Sequence, residues 1–257
     1  MIKVENASKK YTLNKKQQHE LQVNQSTVYA VNEVSFTCKP GSIFSLLGPN
    51  GAGKTTTLRM IATILQPTSG NILVNGFNVT SQSREVRKSI GFLTGSTNLY
   101  DRHTPLEIVK YFADLHQIPA ATFKQRKDEL FTQLGINEFL NKRIGQMSTG
   151  MKQKVSIART MIHNPDVVIF DEPTSGLDVI TANNIIELIR NCKAAGKTVI
   201  FSSHIMSEVD LLCDELAIIN KGKIIYADTM TAYRAQSGDQ SLTETFIQIV
   251  NNNQQQP

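Results

Sequence analysis

The 257-residue chain is long enough for one large α/β domain with a sizeable core, and its 40% hydrophobic and 19% charged content is that of a globular protein. Its net charge of +5 suits a phosphate ligand, a nucleic acid or an anionic membrane surface and selects none of them. Three dispersed cysteines, Cys38, Cys192 and Cys213, argue against a disulfide framework or a CxxC zinc site and fit a reducing compartment. The opening MIKVENASKK has no signal-peptide core, and no apolar run approaches the roughly 18–20 residues of a membrane span.

In chain order, a short strand is expected over 2–5. The polar stretch 12–27, rich in Gln, Asn and Lys, has no clean period and reads as an extended loop or hairpin tip. Strands are expected at 28–38 and 42–47. Leu58, Ile61, Ala62 and Leu65 recur at helical spacing and predict a helix over 54–65. A strand and turn over 71–76 and a strand over 89–93 follow. Thr104, Pro105 and Glu107 form an N-cap, a first helical position and a capping box, so a helix is expected to His116. Helices over 122–145 and 149–163 come next. VVIFD (167–171) is a continuous apolar run ending in an acid, as in a buried parallel strand. The remainder reads as helix 179–194, strand 198–202, helix 205–212, short strands 215–220 and 223–226, and a helix near 242–250 before a disordered polar tail. Strands alternate with helices around one mainly helical block, about 96–164. That pattern predicts an α/β nucleotide-binding domain over 1–238 with an inserted helical subdomain, then a C-terminal helix and tail over 239–257.

The segment GPNGAGKT (48–55), between a strand and a helix, fits G-x-x-x-x-G-K-[ST] at every fixed position. Gly48, Gly51 and Gly53, with Pro49, Asn50 and Ala52 between them, let the backbone curl so that N–H groups face phosphate oxygens, and the helix start adds a favourable dipole. Lys54 is expected to reach the β- and γ-phosphates, Thr55 to offer its hydroxyl to Mg2+, and Thr56 to add a phosphate contact. Asp171, delivered by its apolar strand, is the expected magnesium partner, in part through water. Glu172 follows it and is suited to polarise the attacking water. VIFSSH (199–204) ends a further strand in His204, placed to bond the γ-phosphate and hold Glu172 and the water in line.

The phosphate loop, VVIFDEPTSGLD and His204, in this order and spacing, resemble the ATP-binding-cassette (ABC) ATPases over nearly the whole chain. The resemblance implies a RecA-like core sheet, an antiparallel β subdomain and the helical insertion. The family's signature segment, commonly LSGGQ, reads here MSTGM (147–151). Ser148 and Gly150 are retained, while Thr149 and Met151 replace a glycine and a glutamine. The family places this segment, on a helix start, against the γ-phosphate held by an opposing subunit. Tyr11 matches the aromatic that stacks on adenine, although the insert 12–27 leaves Tyr29 and a plain core tyrosine open. Asp178 resembles the residue at the dimer seam. Within the family, STGMKQKVSIAR and GFLTGST..LYDR look closest to the sodium-extruding exporter type, with drug and lipid exporters nearby.

The resemblance therefore implies an ATPase that binds ATP and Mg2+ in a head-to-tail dimer. A homodimer is the simpler expectation and a heterodimer stays open. The dimer would drive a separate integral-membrane permease from the cytoplasmic face of the membrane, with no nucleic acid as partner. A soluble ABC protein acting on ribosomes or DNA is the rival reading. The permease would dock between the α/β core and the helical block, against the helix from Pro105 and NLYDRH (98–103). One departure stands out. The family carries a glutamine at the hinge into the helical block, and alignment puts Gly95 there. Ser96 or Thr94, a water, or backbone freedom alone would take over its role.

Overall fold

The computed structural model describes residues 1–20, 25–94 and 99–253. The first half runs β1 (Ile2–Thr12), α1 (Lys15–Glu20), β2 (Thr27–Cys38), β3 (Ile43–Leu47), α2 (Lys54–Ile61), β4 (Ser69–Val74), β5 (Phe77–Asn78), α3 (Ser83–Ser89) and β6 (Ile90–Thr94). Helices α4 (Pro105–Leu115), α5 (Ala120–Gln133) and α6 (Thr149–Met161) follow, with short 3-10 turns at Ile136–Phe139 and Ile144–Gln146. Then come β7 (Val167–Asp171), α7 (Val179–Ala194), β8 (Thr198–Ser203), α8 (Met206–Leu212), β9 (Glu215–Asn220), β10 (Lys223–Thr229), α9 (Met230–Ser237) and α10 (Leu242–Asn252).

The strands form two sheets. An antiparallel one has the order β2-β1-β4-β5, and a second has the order β10-β9-β3-β8-β7-β6. In the latter, β9, β3, β8, β7 and β6 run parallel and β10 pairs antiparallel at the edge. Every residue of β3, β7 and β8 is buried, because both faces of this sheet are covered. Alternation decides which core each side chain joins. Val168 and Phe170 pack with α6, α7 and α8, whereas Val167 and Ile169 pack towards α2 and the antiparallel sheet. The parallel register sets the carboxyl ends side by side: Leu47 opposes Ser203, Asp171 opposes Ser202, and Thr94 opposes Asp171. That edge is where open α/β sheets gather their ligand-binding groups.

Several elements differ from the periodicity reading. Strand β1 extends to Thr12 rather than residue 5, since register shifts and left-handed Asn6 (φ 48°) break its two-residue alternation. Its antiparallel pairing with β2 continues to Thr12 opposite Thr27, so the polar stretch is the hairpin tip of the two alternatives, with a short helix, α1, within it. The helix expected over 122–145 stops at Gln133, where Gly135 (φ 63°) turns the chain left-handed. Helices α3 and α9 are too short and polar to show a period. Helix α10 continues through Asn252, and the Asn253 side chain caps it by donating to the Ile249 carbonyl at 2.9 Å.

The approach to α6 is fastened to the segment that follows residue 98. Ile144 N–H donates to the His103 carbonyl and Gly145 N–H to the Asp101 carbonyl, both at 2.9 Å, and the Arg143 guanidinium bonds the Arg102 carbonyl. A Cβ at Gly145 would stand 3.2 Å from that of Asp101, so the two strands of chain lie close. Ile108, Ile144, Met147 and Val155 form a small buried cluster beneath them.

Candidate active site

Strand β3 leaves the sheet at Leu47 and enters the glycine-rich loop. A Cβ at Gly48 would lie 2.2 Å from the Ile219 carbonyl oxygen, and one at Gly53 (φ 110°) 2.5 Å from that of Ala30. Backbone fills the space a side chain would need at both positions. Helix α2 starts at Lys54 with Gly53 as N-cap and no side-chain cap, which leaves first-turn N–H groups for a ligand. Residues 50–56, with Ala30 and Glu172, line a cavity of about 370 Å³ here. The loop thus carries the backbone donors, dipole and room that a polyphosphate requires.

Lys54 is 3% exposed, and its Nζ donates to the carbonyls of Gly48 at 2.7 Å and Pro49 at 3.0 Å. The same ammonium lies 3.3 Å from Oε1 of Glu172. Asp171 ends β7 buried. Its Oδ1 accepts from Thr55 Oγ1 at 2.9 Å and from Ser202 Oγ at 2.8 Å. A hydroxyl beside a carboxylate is a hard oxygen pair suited to Mg2+. Glu172 takes the left-handed conformation (φ 47°), a strain of roughly 1–3 kcal/mol for a non-glycine residue. Its N–H donates to Ser202 Oγ at 2.9 Å, and His204 Nδ1 stands 3.6 Å from its Oε1. Lys54, Thr55, Asp171, Glu172 and His204 therefore converge on one cavity edge.

Five residues that the sequence does not single out hold this group together. Ser202 ties β8 to both Asp171 and Glu172. Ser203 donates to Oε2 of Glu208 at 2.7 Å while Thr174 donates to Oε1 at 2.5 Å, so one carboxylate bridges β8 to the segment after β7. Buried Gln153 on α6 donates to the Pro173 carbonyl at 3.4 Å. The paired serines before His204 were the available signal.

The remaining positions are spread more widely. Ser148 is the N-cap of α6 and accepts from the Met151 N–H at 3.3 Å; Thr149 and Gly150 are the helix's first residues, and Met151 packs against the cluster around Ile108 and Ile144. A Cβ at Gly150 would meet the Thr181 hydroxyl at 3.1 Å. Asp178 caps α7, accepting from Thr181 N–H at 2.9 Å and from its hydroxyl at 2.7 Å, and these bonds lower its pKa. Beyond it, Val179 and Ile180 are exposed. Tyr11, opposite Val28, and Tyr29, opposite Lys10, are both exposed, and neither lines the cavity. A lysine sits over each ring, Lys9 over Tyr11 and Lys10 over Tyr29. Gly95 and Ser96 lie outside the described residues; Thr94, the last residue of β6, is the register partner of Asp171.

A model of the ABC transporter family matches residues 31–175. The chain belongs to the ABC transporter family. It is 43% identical over 227 residues to the ABC transporter ATP-binding protein NatA of Bacillus subtilis (strain 168), covering 88% of this chain and 92% of that protein. It is 34% identical to the linearmycin resistance ATP-binding protein LnrL of the same organism, covering 86% and 71%. Among solved structures, a dimeric ATP-binding cassette in a post-hydrolysis state, bound to ADP and phosphate, superposes with a TM-score of 0.77. That pair is 25% identical, covering 90% of this chain and 99% of the other. The chain is accordingly an ABC transporter ATP-binding subunit, and its chemistry is ATP hydrolysis. No helix among the described residues is long and apolar enough to cross a membrane.

Proposed function

We propose that this ATPase energises export through a separate membrane permease, acting as a head-to-tail homodimer at the cytoplasmic face of the membrane. The convergence of Lys54, Asp171, Glu172 and His204 at one cavity carries the reading. In it, the loop 48–55 and Lys54 bind the phosphates of ATP, with Thr56 beside them and Tyr11 against the adenine. Thr55 and Asp171 would hold Mg2+, which when bound neutralises phosphate charge. Glu172 orients and polarises the attacking water, and His204 holds Glu172 in line. Ser148 and Gly150, at an N-capped helix start, face the γ-phosphate bound to the other subunit, and Asp178 lies at the seam. ATP closes the pair because both halves contact its γ-phosphate, and hydrolysis releases it. Residues 1–238 form the ATPase domain with the helical block inserted over about 96–164. Residues 239–257 form an appended helix and tail, with Leu242 and Phe246 of α10 packed against the main core.

Sodium is the cargo we propose, on the resemblance of STGMKQKVSIAR and its neighbours to the sodium-extruding branch. The linearmycin resistance relative supports a drug-like cargo as the second reading. The test has two parts. ATP-dependent phosphate release should be lost in Lys54→Ala, and the chain should purify from membranes with an integral-membrane permease. Vesicles holding that complex should then move sodium on ATP addition. Turnover and membrane recovery with drug flux but no sodium flux would replace the cargo alone. Failure of membrane recovery would remove the transport role.

A further inference from the structure

Helices α6 and α7 come together at their first turns. A Cβ at Gly150 would lie 3.1 Å from Oγ1 of Thr181 and 3.5 Å from its Cγ2. Gly150 has no left-handed backbone, so within the chain it is this close approach, and not conformation, that calls for glycine. One turn on, buried Gln153 donates to the Pro173 carbonyl at 3.4 Å. Beyond these contacts the two helices line a cavity of about 360 Å³, with Lys154 and Ile157 on one wall and Asn184 and Leu188 on the other. Packing between them is close where the signature segment begins α6 and open further along.

Thr181 makes a second connection. Its N–H donates to Oδ1 of Asp178 at 2.9 Å and its hydroxyl to Oδ2 at 2.7 Å, so one residue holds both oxygens of that carboxylate. A β-branched side chain has few χ1 settings, and the hydroxyl bond selects one of them. In that setting Oγ1 and Cγ2 both lie against Gly150. Asp178 thus fixes Thr181, and Thr181 fixes how closely the start of α6 approaches α7. The N–H cap of α7 is separate, because a backbone donor survives a change of side chain.

We propose that Thr181 is a positioning residue for ATP hydrolysis. It sets the signature segment of its own subunit against the Asp178 turn, and so sets where Ser148 and Gly150 meet the γ-phosphate held by the other subunit. The inference rests on the head-to-tail dimer proposed above and adds the residue that aligns its contact between subunits. Thr181 needs no contact with nucleotide for this, because it acts through Gly150. Donors that stabilise a transferring phosphoryl group must be in place before the reaction, and a misplacement of about 1 Å lowers the rate strongly. Thr181→Val keeps the branch but loses the hydroxyl bond to Asp178, which releases the rotamer. Thr181→Ser keeps that bond.

The test mixes a chain with intact Glu172 with a large excess of Glu172→Gln chains, adds ATP, and follows phosphate from the first turnover. Each hydrolysing site then joins the phosphate loop of the scarce chain to the signature segment of the abundant one. With Thr181→Val in the abundant chain, release should slow about tenfold. With Thr181→Val in the scarce chain, release should match that of unaltered Thr181, which also shows that the variant folds and binds ATP. Thr181→Ser in the abundant chain should recover most of the rate. Full release with Thr181→Val in the abundant chain would overturn the proposal. So would slowing when it is in the scarce chain, or a serine variant no faster than the valine one. Ser148→Arg, tested in both arrangements, separates the proposal from the dimer reading beneath it. If that change slows release only from the abundant chain, the head-to-tail reading stands whatever Thr181 does. Any other pattern removes that reading and the inference with it.

Discussion

The Nζ of Lys54 stands 3.3 Å from Oε1 of Glu172, so the residue proposed to bind phosphate also holds the residue proposed to direct water. The γ-phosphate of ATP carries more charge than one carboxylate and, under the proposed roles, would compete for the ammonium and free Glu172 to turn to the water. Glu172→Gln should therefore still bind ATP, accumulate as an ATP-dependent dimer in size-exclusion chromatography, and lose turnover by about 10²–10⁴-fold. Undiminished phosphate release would remove Glu172 from this role.

Ser202 stands between two site residues, donating to Asp171 and accepting from the Glu172 N–H. Ser202→Ala leaves that N–H unpaired and takes one donor from a buried carboxylate. Urea denaturation should show a loss of about 1–3 kcal/mol. Turnover should need more Mg2+, because Asp171 is then held by Thr55 alone among the described residues. An unchanged magnesium titration would count against the tie.

Glu208 joins Thr174 to Ser203, one residue before His204. Glu208→Ala should lower kcat several-fold with a smaller change in KM, because it loosens His204 relative to the segment 171–178 without touching the phosphate loop. Glu208→Gln retains one accepting oxygen and should recover part of the loss. Equal effects of both variants on kcat and KM would indicate a general folding defect instead.

Burial holds the His163 imidazole at a pKa of about 4, below its ordinary 6.5, with repulsion from His116 adding to the effect. The unfolded chain therefore binds the proton first. The stability from neutral His163 is fully present above pH 6.5 and is lost as pH falls towards 4, to the extent of about 3 kcal/mol. Thermal melting should show this decline, and His163→Gln, which keeps a donor for the Ile90 carbonyl, should flatten it. A wild-type melting point constant from pH 7 to 4.5 would refute the assignment.

The groups most legible in the sequence are those fixed by short-range spacing. GPNGAGKT shows its loop because glycines, lysine and threonine occupy fixed offsets. Asp171 and His204 show themselves because apolar runs end on them. Thr104 and Glu107 form the capping box that their spacing indicates. The ties through Ser202 and Gln153 and that of Glu208 to Thr174 are hidden because their partners lie 20–34 residues away, and serine or glutamine alone signals nothing. Only the start of strand β1 shows in the sequence because its bulges break the alternation that marks a strand. The helical pattern runs on past the end of α5 because it says little about where Gly135 reverses the backbone.

The backbone pairing of Asp101 and His103 with Gly145 and Ile144 makes one stiff splint of two stretches that are far apart along the chain. Tyr100, exposed at one end, and Ser148, at the other, are joined through it, so any displacement of one would carry the other. A fluorescent or spin label attached at Tyr100 would accordingly serve as an external pointer for the signature serine, readable without placing a probe against the nucleotide.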